Sequence, residues 1–485
     1  MARVAVSATV VVASLLAASG CAVNRVTDPN PDVGFTPCTQ VECSGELPSG
    51  SAFEIMMPQT WNGSLAIYSH GASADSDSAA ASAGFLPAGR ALGPAPAPLW
   101  SRGDKSIADV LLGAGYAIAG AAPGEGAWRV PAQIKSGEEL YEYFSENIAV
   151  PNRVYVWGMS EGGLASVRLA ELHPDWVSGG AALCAPTAGA RPTFNLALDV
   201  AFAVKQLMYP RMKLTGYSSV EEAAAVRDAA IVRVRRAPLT PSGVAKVLFI
   251  GSLSGLPAES VTESGEDRSS QAAAYGEGIE NLIAMSTVLR YDLERQVGGN
   301  PSSNSGTDYL SRISAAEQSV IDELRSGSVA ALYDKLNAGQ RIESEPDAEA
   351  SAAELGGPSG DVAVPLIALH NAADPVYIAQ HATSYADRAA SHSAESRARL
   401  VNLFVVPPDG QSSVNPADEG AGHCVFKRRT VLGTMILLND WARNGRYPQR
   451  DAIEKALPGA ELAVNADVGA WPATGVVPTA QRSVP

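Results

Sequence analysis

One local feature constrains the fold of this chain more than any other. The β-branched and aromatic run Val154-Tyr155-Val156-Trp157 stops at Gly158-Met159-Ser160-Glu161-Gly162, and Leu164 to Leu172 continues with a helical pattern. Extended backbone therefore becomes helical backbone within a few residues, with Ser160 held between two glycines. A strand of an open sheet passing into its crossover helix makes such a turn, and it leaves the serine strained and exposed at the end of the strand. The glycines are needed because so tight a turn leaves no room for side chains. Gly163 suits close packing of the helix on the sheet.

The rest of the sequence repeats the strand-then-helix rhythm. Leu65 to Tyr68 is an apolar run ending at Ser69-His70-Gly71. Ile107 to Leu112 reads as a helix stopped by Gly113 and Gly115, followed by the run Tyr116 to Ala122. Gly180 to Ala185, Leu366 to Leu369 and Leu400 to Val406 complete the set. Apolar runs without alternation predict buried parallel strands with helices on both faces of the sheet. Between about residues 190 and 360 the rhythm breaks. Phe194 to Met208, Val220 to Arg235, Ala272 to Gln296 and Tyr309 to Arg325 favour helix, with Leu282, Met285 and Leu289 at helical spacing. We read this stretch as a helical insertion, or lid, carried on the sheet; a separate domain with its own task is the alternative. A length of 485 residues suits a sheet-based core plus such an addition.

The N-terminus carries a second message. Arg3 precedes the apolar stretch Val4 to Ala18, then Ser19, Gly20 and Cys21. A charged start, a short apolar core and a small-residue cleavage site describe an export signal, and the run is shorter than the ~20 apolar residues of a membrane span. Ala18-Ser19-Gly20-Cys21 resembles the lipobox of bacterial lipoproteins, with Ala18 where that pattern favours Leu. The resemblance implies lipidation of Cys21 and a membrane anchor; a plain cleaved signal is the alternative. The division that follows is 1–20 as signal, 21–48 as linker, 49–190 and 361–450 as the two parts of the core, 191–360 as the insertion and 451–485 as a tail. A net charge of −15 argues against nucleic acid, because phosphate contacts need clustered Lys and Arg.

A serine hydroxyl needs a general base within hydrogen-bond reach. Of the six histidines, His173 belongs to the helix leaving the turn, His381 and His392 sit in a polar helical stretch expected to be solvated, and His370 ends a strand. His70 precedes a glycine, a place for anion-binding donors. His423 remains, in the loop Gly420-Ala421-Gly422-His423 after the last strand run, where such groups converge at a sheet's carboxyl edge. The base needs a carboxylate to fix its tautomer. Asp374 follows the strand Leu366 to Leu369 and precedes His423, giving the chain order Ser, Asp, His. Asp361 and Asp409 compete, but one precedes the strand and the other follows a different one.

These residues together resemble the α/β-hydrolase superfamily over roughly residues 50–190 and 361–445. The resemblance implies a mostly parallel sheet with helices on both faces, acyl transfer through Ser160, and no metal or organic cofactor. His70-Gly71 resembles the family's H-G turn, so the oxyanion donors carried over are the N–H groups of Ala72 and Glu161. The Glu161 side chain is expected to point outward. Tannases and feruloyl esterases join a cysteine just before the serine to one just after the histidine. Here Cys424 follows His423 but Met159 precedes Ser160, so only half of that signature is present.

With Cys21 set aside, four cysteines of the five remain, an even number for an oxidising compartment. Cys38 and Cys43 are close enough for a local bridge. Cys184 and Cys424 both belong at the carboxyl edge of the sheet, where a bridge would hold the His423 loop; two buried free thiols are the alternative. The function expected is hydrolysis of a small-molecule or polymeric carboxylic ester. An exported peptidase or amidase acting on short peptides comes second, and a non-catalytic envelope-binding lipoprotein third.

Overall fold

The computed structural model describes residues 42–71, 94–98, 106–122, 126, 128–258, 268–324, 328–407, 419–469 and 471. In chain order the first half contains β1 (Glu42–Glu46), β2 (Ala52–Met56), β3 (Ser64–Ser69), α1 (Ile107–Gly113), β4 (Ala117–Ala122), α2 (Val130–Asn147), β5 (Arg153–Met159), α3 (Glu161–Leu172) and β6 (Val177–Leu183). Helices follow: α4 (Ala190–Leu207), α5 (Val220–Arg236), α6 (Pro241–Ser254), α7 (Arg268–Ala284), α8 (Arg290–Val297), α9 (Ala315–Asp322), α10 (Val329–Asn337) and α11 (Pro346–Ala353). The chain then returns to the sheet with β7 (Leu366–Asn371), α12 (Gln380–His392), α13 (Ala394–Ala398), β8 (Leu400–Val405), α14 (Arg428–Asn444), α15 (Arg450–Ala456) and β9 (Leu462–Val464).

The strands form one sheet in the order β1-β2-β4-β3-β5-β6-β7-β8-β9. From β4 to β8 every neighbouring pair is parallel, and β1, β2 and β9 add antiparallel edges. This is the α/β-hydrolase fold. Side chains alternate across the sheet: Val154 and Val156 join one core with α2 and α3, while Tyr155 and Trp157 join the other with α1 and α14. Both faces are thus covered, which is why the interior strands read as unbroken apolar runs.

The helices between β6 and β7 share the first of these cores. Trp128 donates its indole N–H to Leu355 O at 2.9 Å, and Gln296 Nε2 donates to Trp128 O at 2.9 Å. The expected single helix from Ala272 to Gln296 is α7 running through a π-helical turn, Met285–Leu289, into α8.

Two boundaries move. β1 starts within the stretch expected to be a linker, and most of α15 and all of β9 lie in the stretch expected to be a tail. These edge strands are short (β9 is three residues with one buried), so they lack the apolar runs that mark the interior.

Candidate active site

The turn after β5 places Ser160 at φ 56° and ψ −130°, a conformation that costs a non-glycine residue about 1–3 kcal/mol. Its neighbours leave no choice. A Cβ on Gly162 would lie 2.1 Å from Ser69 O, and one on Gly158 would lie 2.4 Å from Gly162 O. The Ser160 N–H is held by Leu183 O at 2.9 Å. Fixed in this way, Ser160 Oγ lies 3.0 Å from His423 Nε2.

His423 sits in a loop tied down on several sides. Ala373 and Ala421 form an isolated parallel bridge, with Ala373 N donating to Gly420 O and Gly422 N donating to Ala373 O, both at 2.9 Å. Asn371 Nδ2 donates to Gly422 O at 2.9 Å and Val425 O at 3.1 Å. Buried Glu419 closes the loop by accepting from Lys427 N and Thr430 Oγ1 at the start of α14. A disulfide joins Cys424 to Cys184 at the end of β6, with Cα atoms 5.4 Å apart across 240 residues of sequence. Cys184 and Cys424 stand at φ 47° and 56°, so strained backbone gathers around this one spot. The sulfurs beside His423 are bonded to each other, which removes them as metal ligands. Cys43 is disulfide-bonded; Cys38, its expected partner, lies outside the described residues.

Asp374 follows β7 and is fully buried. Oδ1 accepts from the N–H groups of Val376 (2.8 Å) and Tyr377 (3.0 Å), and Oδ2 accepts from His423 Nδ1 at 2.8 Å. The three residues singled out from the sequence thus form one hydrogen-bonded chain, Ser160 to His423 to Asp374. Such a chain can draw the hydroxyl proton onto the imidazole as the oxygen attacks an electrophile.

The other histidines divide differently from expectation. His370 is buried, and its Nε2 donates to Tyr377 O at 2.6 Å; burial holds its pKa below the usual value. His381, expected to be solvated, is buried instead. Its Nδ1 accepts from Ala188 N at 3.2 Å, because its face of α12 packs beneath the segment that follows β6. His70 is buried too; desolvation, reinforced by the charge of Arg129, pushes its pKa down to about 4. The chain after His70 passes against the serine, since a Cβ on Gly71 would lie 3.2 Å from Ser160 Cβ. Ala72 and Cys21 lie outside the described residues.

Glu161 corrects the sequence reading. Its N–H, at the first position of α3, has no intrahelical acceptor. Its side chain does not point outward: it is 2% exposed, and Oε2 accepts from Arg129 N at 3.2 Å. Burial pushes its pKa up to about 6. The partner lies just before α2, out of reach of any local sequence pattern.

Sequence reasoning missed Tyr377 altogether. Its ring stands edge-on to His423, centroids 5.2 Å apart. The one available signal was its place three residues after Asp374. From Tyr377 a line of rings continues through His381 (5.4 Å) to Trp471 (4.7 Å). Trp471 forms one wall of a cleft of about 270 Å³ with Arg191, Asn195, Leu196, Asp199 and Arg312. The insertion also touches the acid's turn, where Asn281 Nδ2 donates to Pro375 O at 3.5 Å.

No family model matches the chain, and no curated protein does. Among solved structures, it is similar to feruloyl esterase B from Aspergillus oryzae, at 14% identity over 88% of each chain with a TM-score of 0.40. It is similar to a proline iminopeptidase from Mycobacterium smegmatis at 12% identity, covering 82% of this chain and 96% of that one, TM-score 0.32. An epoxide hydrolase from an endophytic Streptomyces shares 18% identity, covering 83% and 96%, TM-score 0.35. Likenesses this loose carry no argument about chemistry, which rests on the site itself.

Proposed function

We propose that the protein is a serine hydrolase that cleaves carboxylic esters through an acyl-enzyme on Ser160. The observation that carries this reading is the hydrogen-bonded chain from Ser160 Oγ to His423 Nε2, at 3.0 Å, and from His423 Nδ1 to Asp374 Oδ2, at 2.8 Å. Ser160 Oγ attacks the ester carbonyl carbon while its proton moves to His423 Nε2 and the carbonyl electron pair moves onto oxygen. Asp374 holds the imidazolium that forms. Collapse of the tetrahedral intermediate expels the alcohol, which takes the proton from His423. Water then repeats the sequence on the acyl-enzyme. The Glu161 N–H, which has no intrahelical acceptor at the first position of α3, and that of Ala72 are the oxyanion donors. No metal or organic cofactor takes part.

The substrate is a small or polymeric ester, and the helices between β6 and β7 serve as the lid that selects it. The protein acts outside the cytoplasm, held at a membrane by a lipid on Cys21. The Cys184–Cys424 bridge supports that compartment, because structural disulfides persist in oxidising surroundings. The deciding experiment is labelling of the mature protein with a fluorophosphonate, followed by paired ester and aminoacyl-amide substrates. Modification at Ser160 with ester turnover is the expected result. A protein that takes no label, or takes it at another residue, would overturn the reading; faster cleavage of the amide would make it a peptidase. Substitution at Leu196, an apolar position of these helices, tests the lid through the ratio of kcat/KM for short and long acyl chains.

A further inference from the structure

We propose that reduction of the Cys184–Cys424 bridge opens a binding site for a soft divalent cation of the zinc type, held by both cysteine thiolates and His423 Nε2. Filling this site stops hydrolysis. That consequence rests on His423 being the base; the site itself does not.

The donor atoms are already gathered. Cys424 Sγ lies 3.4 Å from His423 Nε2, and the donor atoms of Cys184, Cys424 and His423 all fall within 4.8 Å of one another. Tetrahedral zinc, with Zn–S bonds of about 2.3 Å and Zn–N bonds of about 2.1 Å, sets its donors roughly 3.6–3.8 Å apart. The edge from Cys424 to His423 therefore exists in the closed form, and only the two sulfurs have to part. The imidazole is also oriented for the task. Its Nδ1 is bound to buried Asp374 Oδ2 at 2.8 Å, which leaves the Nε2 lone pair facing Ser160 and Cys424. A carboxylate behind a metal-bound imidazole is the usual means of fixing its tautomer and direction. Two thiolates and an imidazole select zinc or cadmium over magnesium or calcium, and three protein donors leave the fourth position to water. Among the described residues no other three such side chains converge in this way.

Cys184 is fully buried and Cys424 is half-buried, so a dithiol reductant attacks Cys424 Sγ. The S–S bond breaks and Cys184 leaves as a thiolate, which is protonated. The reductant's second thiol then displaces Cys424 and closes to a cyclic disulfide, so the bridge has gained two electrons and two protons. The cation replaces both thiol protons, which pass to solvent, and takes the Nε2 lone pair. With that pair engaged, His423 cannot accept the Ser160 proton. The bridge thus has a task besides tying the loop: while closed, it keeps metal off the base.

The test uses the full mature chain, reduced with a dithiol that is then removed under inert gas, and titrated with Cd²⁺ and Zn²⁺. Cys184→Ala with Cys424→Ala, treated identically, accounts for the remaining cysteines. The expected result is one more Cd²⁺ bound per chain in the reduced wild type than in the double variant, with an ultraviolet thiolate-to-metal absorption band. With the bridge closed the difference should vanish. His423→Ala should weaken the reduced chain's affinity for Zn²⁺ by more than about tenfold. Equal Cd²⁺ binding by the reduced wild type and the double variant would overturn the inference, as would an affinity indifferent to His423→Ala. So would a reduced chain that loses its fold, followed by circular dichroism, and does not regain it with Cd²⁺. Ester turnover of the reduced wild type should be lost on adding Zn²⁺ and return with a chelator, while the oxidised protein and the reduced double variant do not respond. Turnover that persists with Zn²⁺ bound would overturn the inhibition. If the oxidised protein neither turns over esters nor takes a fluorophosphonate at Ser160, yet the extra Cd²⁺ binds through His423, the hydrolase reading fails and the metal site stands.

Discussion

Ser160 and Ser314 each stand at the start of a helix, and only one of them caps it. Ser314 accepts from Glu317 N while the Glu317 carboxylate reaches back to the Ser314 N–H, a complete capping box for α9. Ser219, Thr240 and Ser328 cap α5, α6 and α10 with their hydroxyls, and Gly255 and Gly298 end α6 and α8 in left-handed conformations natural to glycine. Ser160, before α3, makes no such cap and directs its hydroxyl to His423. Three of the four described non-glycine residues at positive φ (Ser160, Cys184 and Cys424) lie at this edge of the sheet, and none lies in the insertion. Apart from the π-helical turn Met285–Leu289, the insertion's described helix ends are ordinary, whereas the sheet edge accepts strain to hold side chains away from their usual partners. A serine placed to cap, yet not capping, is what the proposed nucleophile requires.

The contrast implies that substitutions in the two regions fail in different ways. The largest effect belongs to the edge. Ser160→Ala should lower kcat by about 10⁴–10⁶-fold, and His423→Ala by a similar factor. Asp374→Asn should be milder, at about 10⁴-fold, since the orienting acid is partly replaceable. Melting of Ser160→Ala should match the wild type, because little cavity forms and no helix cap is lost. A folded Ser160→Ala protein with ordinary turnover would break the comparison.

The counterpart in the insertion is Arg290. It is fully buried, donates to Phe194 O at 2.9 Å and Asn300 Oδ1 at 3.1 Å, and has Glu294 at 3.8 Å. Arg290→Ala should cost about 3–5 kcal/mol of stability, because it leaves buried acceptors and a carboxylate without their cation. The fraction that stays folded should keep its kcat. If kcat instead falls as far as stability does, the insertion is part of the catalytic geometry and the two regions are not separate in their roles.

The disulfide bears on both stability and catalysis. Cys184→Ala with Cys424→Ala should cost about 2–4 kcal/mol in denaturant unfolding. It should also lower kcat more than KM, since the bridge is one of the ties on the His423 loop and small misplacements of a base are costly. An unchanged kcat would show that the Ala373–Ala421 bridge and Asn371 hold the loop without help.

What could be read from the sequence follows the same line between local and distant causes. The interior strands were legible because burial on both faces leaves unbroken apolar runs. Ser160, Asp374 and His423 were legible because each terminates or follows such a strand. The α2 helix was overlooked: Arg129 offers no side-chain cap, but Pro131 in the first turn and the spacing of Val130, Ile134, Leu140 and Phe144 mark it. His381 looked solvated because its neighbours on α12 are polar, and its partner is Ala188, near the start of α4. Tyr377 escaped because nothing in Asp374-Pro375-Val376-Tyr377 reveals which way its ring turns. The bridging partner of Cys424 was legible from sheet topology alone, since both chain ends emerge at one edge.

Glu161 gives the smallest effect and the sharpest test of where a side chain points. Burial raises its pKa from 4.5 to about 6. Between these values the folded protein binds a proton that the unfolded chain releases, so stability is greatest below the lower value and is lost as pH rises through the upper one. The loss amounts to about 2 kcal/mol, since each pKa unit is worth about 1.4 kcal/mol. Other groups titrate over the same range, so the measurement is a difference: denaturant unfolding of wild type and Glu161→Gln at matched pH, from about 4 to about 8. The glutamine keeps an oxygen for the Arg129 N–H and cannot ionise. Its stability relative to wild type should rise by about 2 kcal/mol between about pH 4 and about pH 7 and then level off. A carboxylate pointing into water would give a flat difference. A flat result would therefore restore the outward orientation that the sequence alone suggested, and would release α2 from its tie to the serine turn.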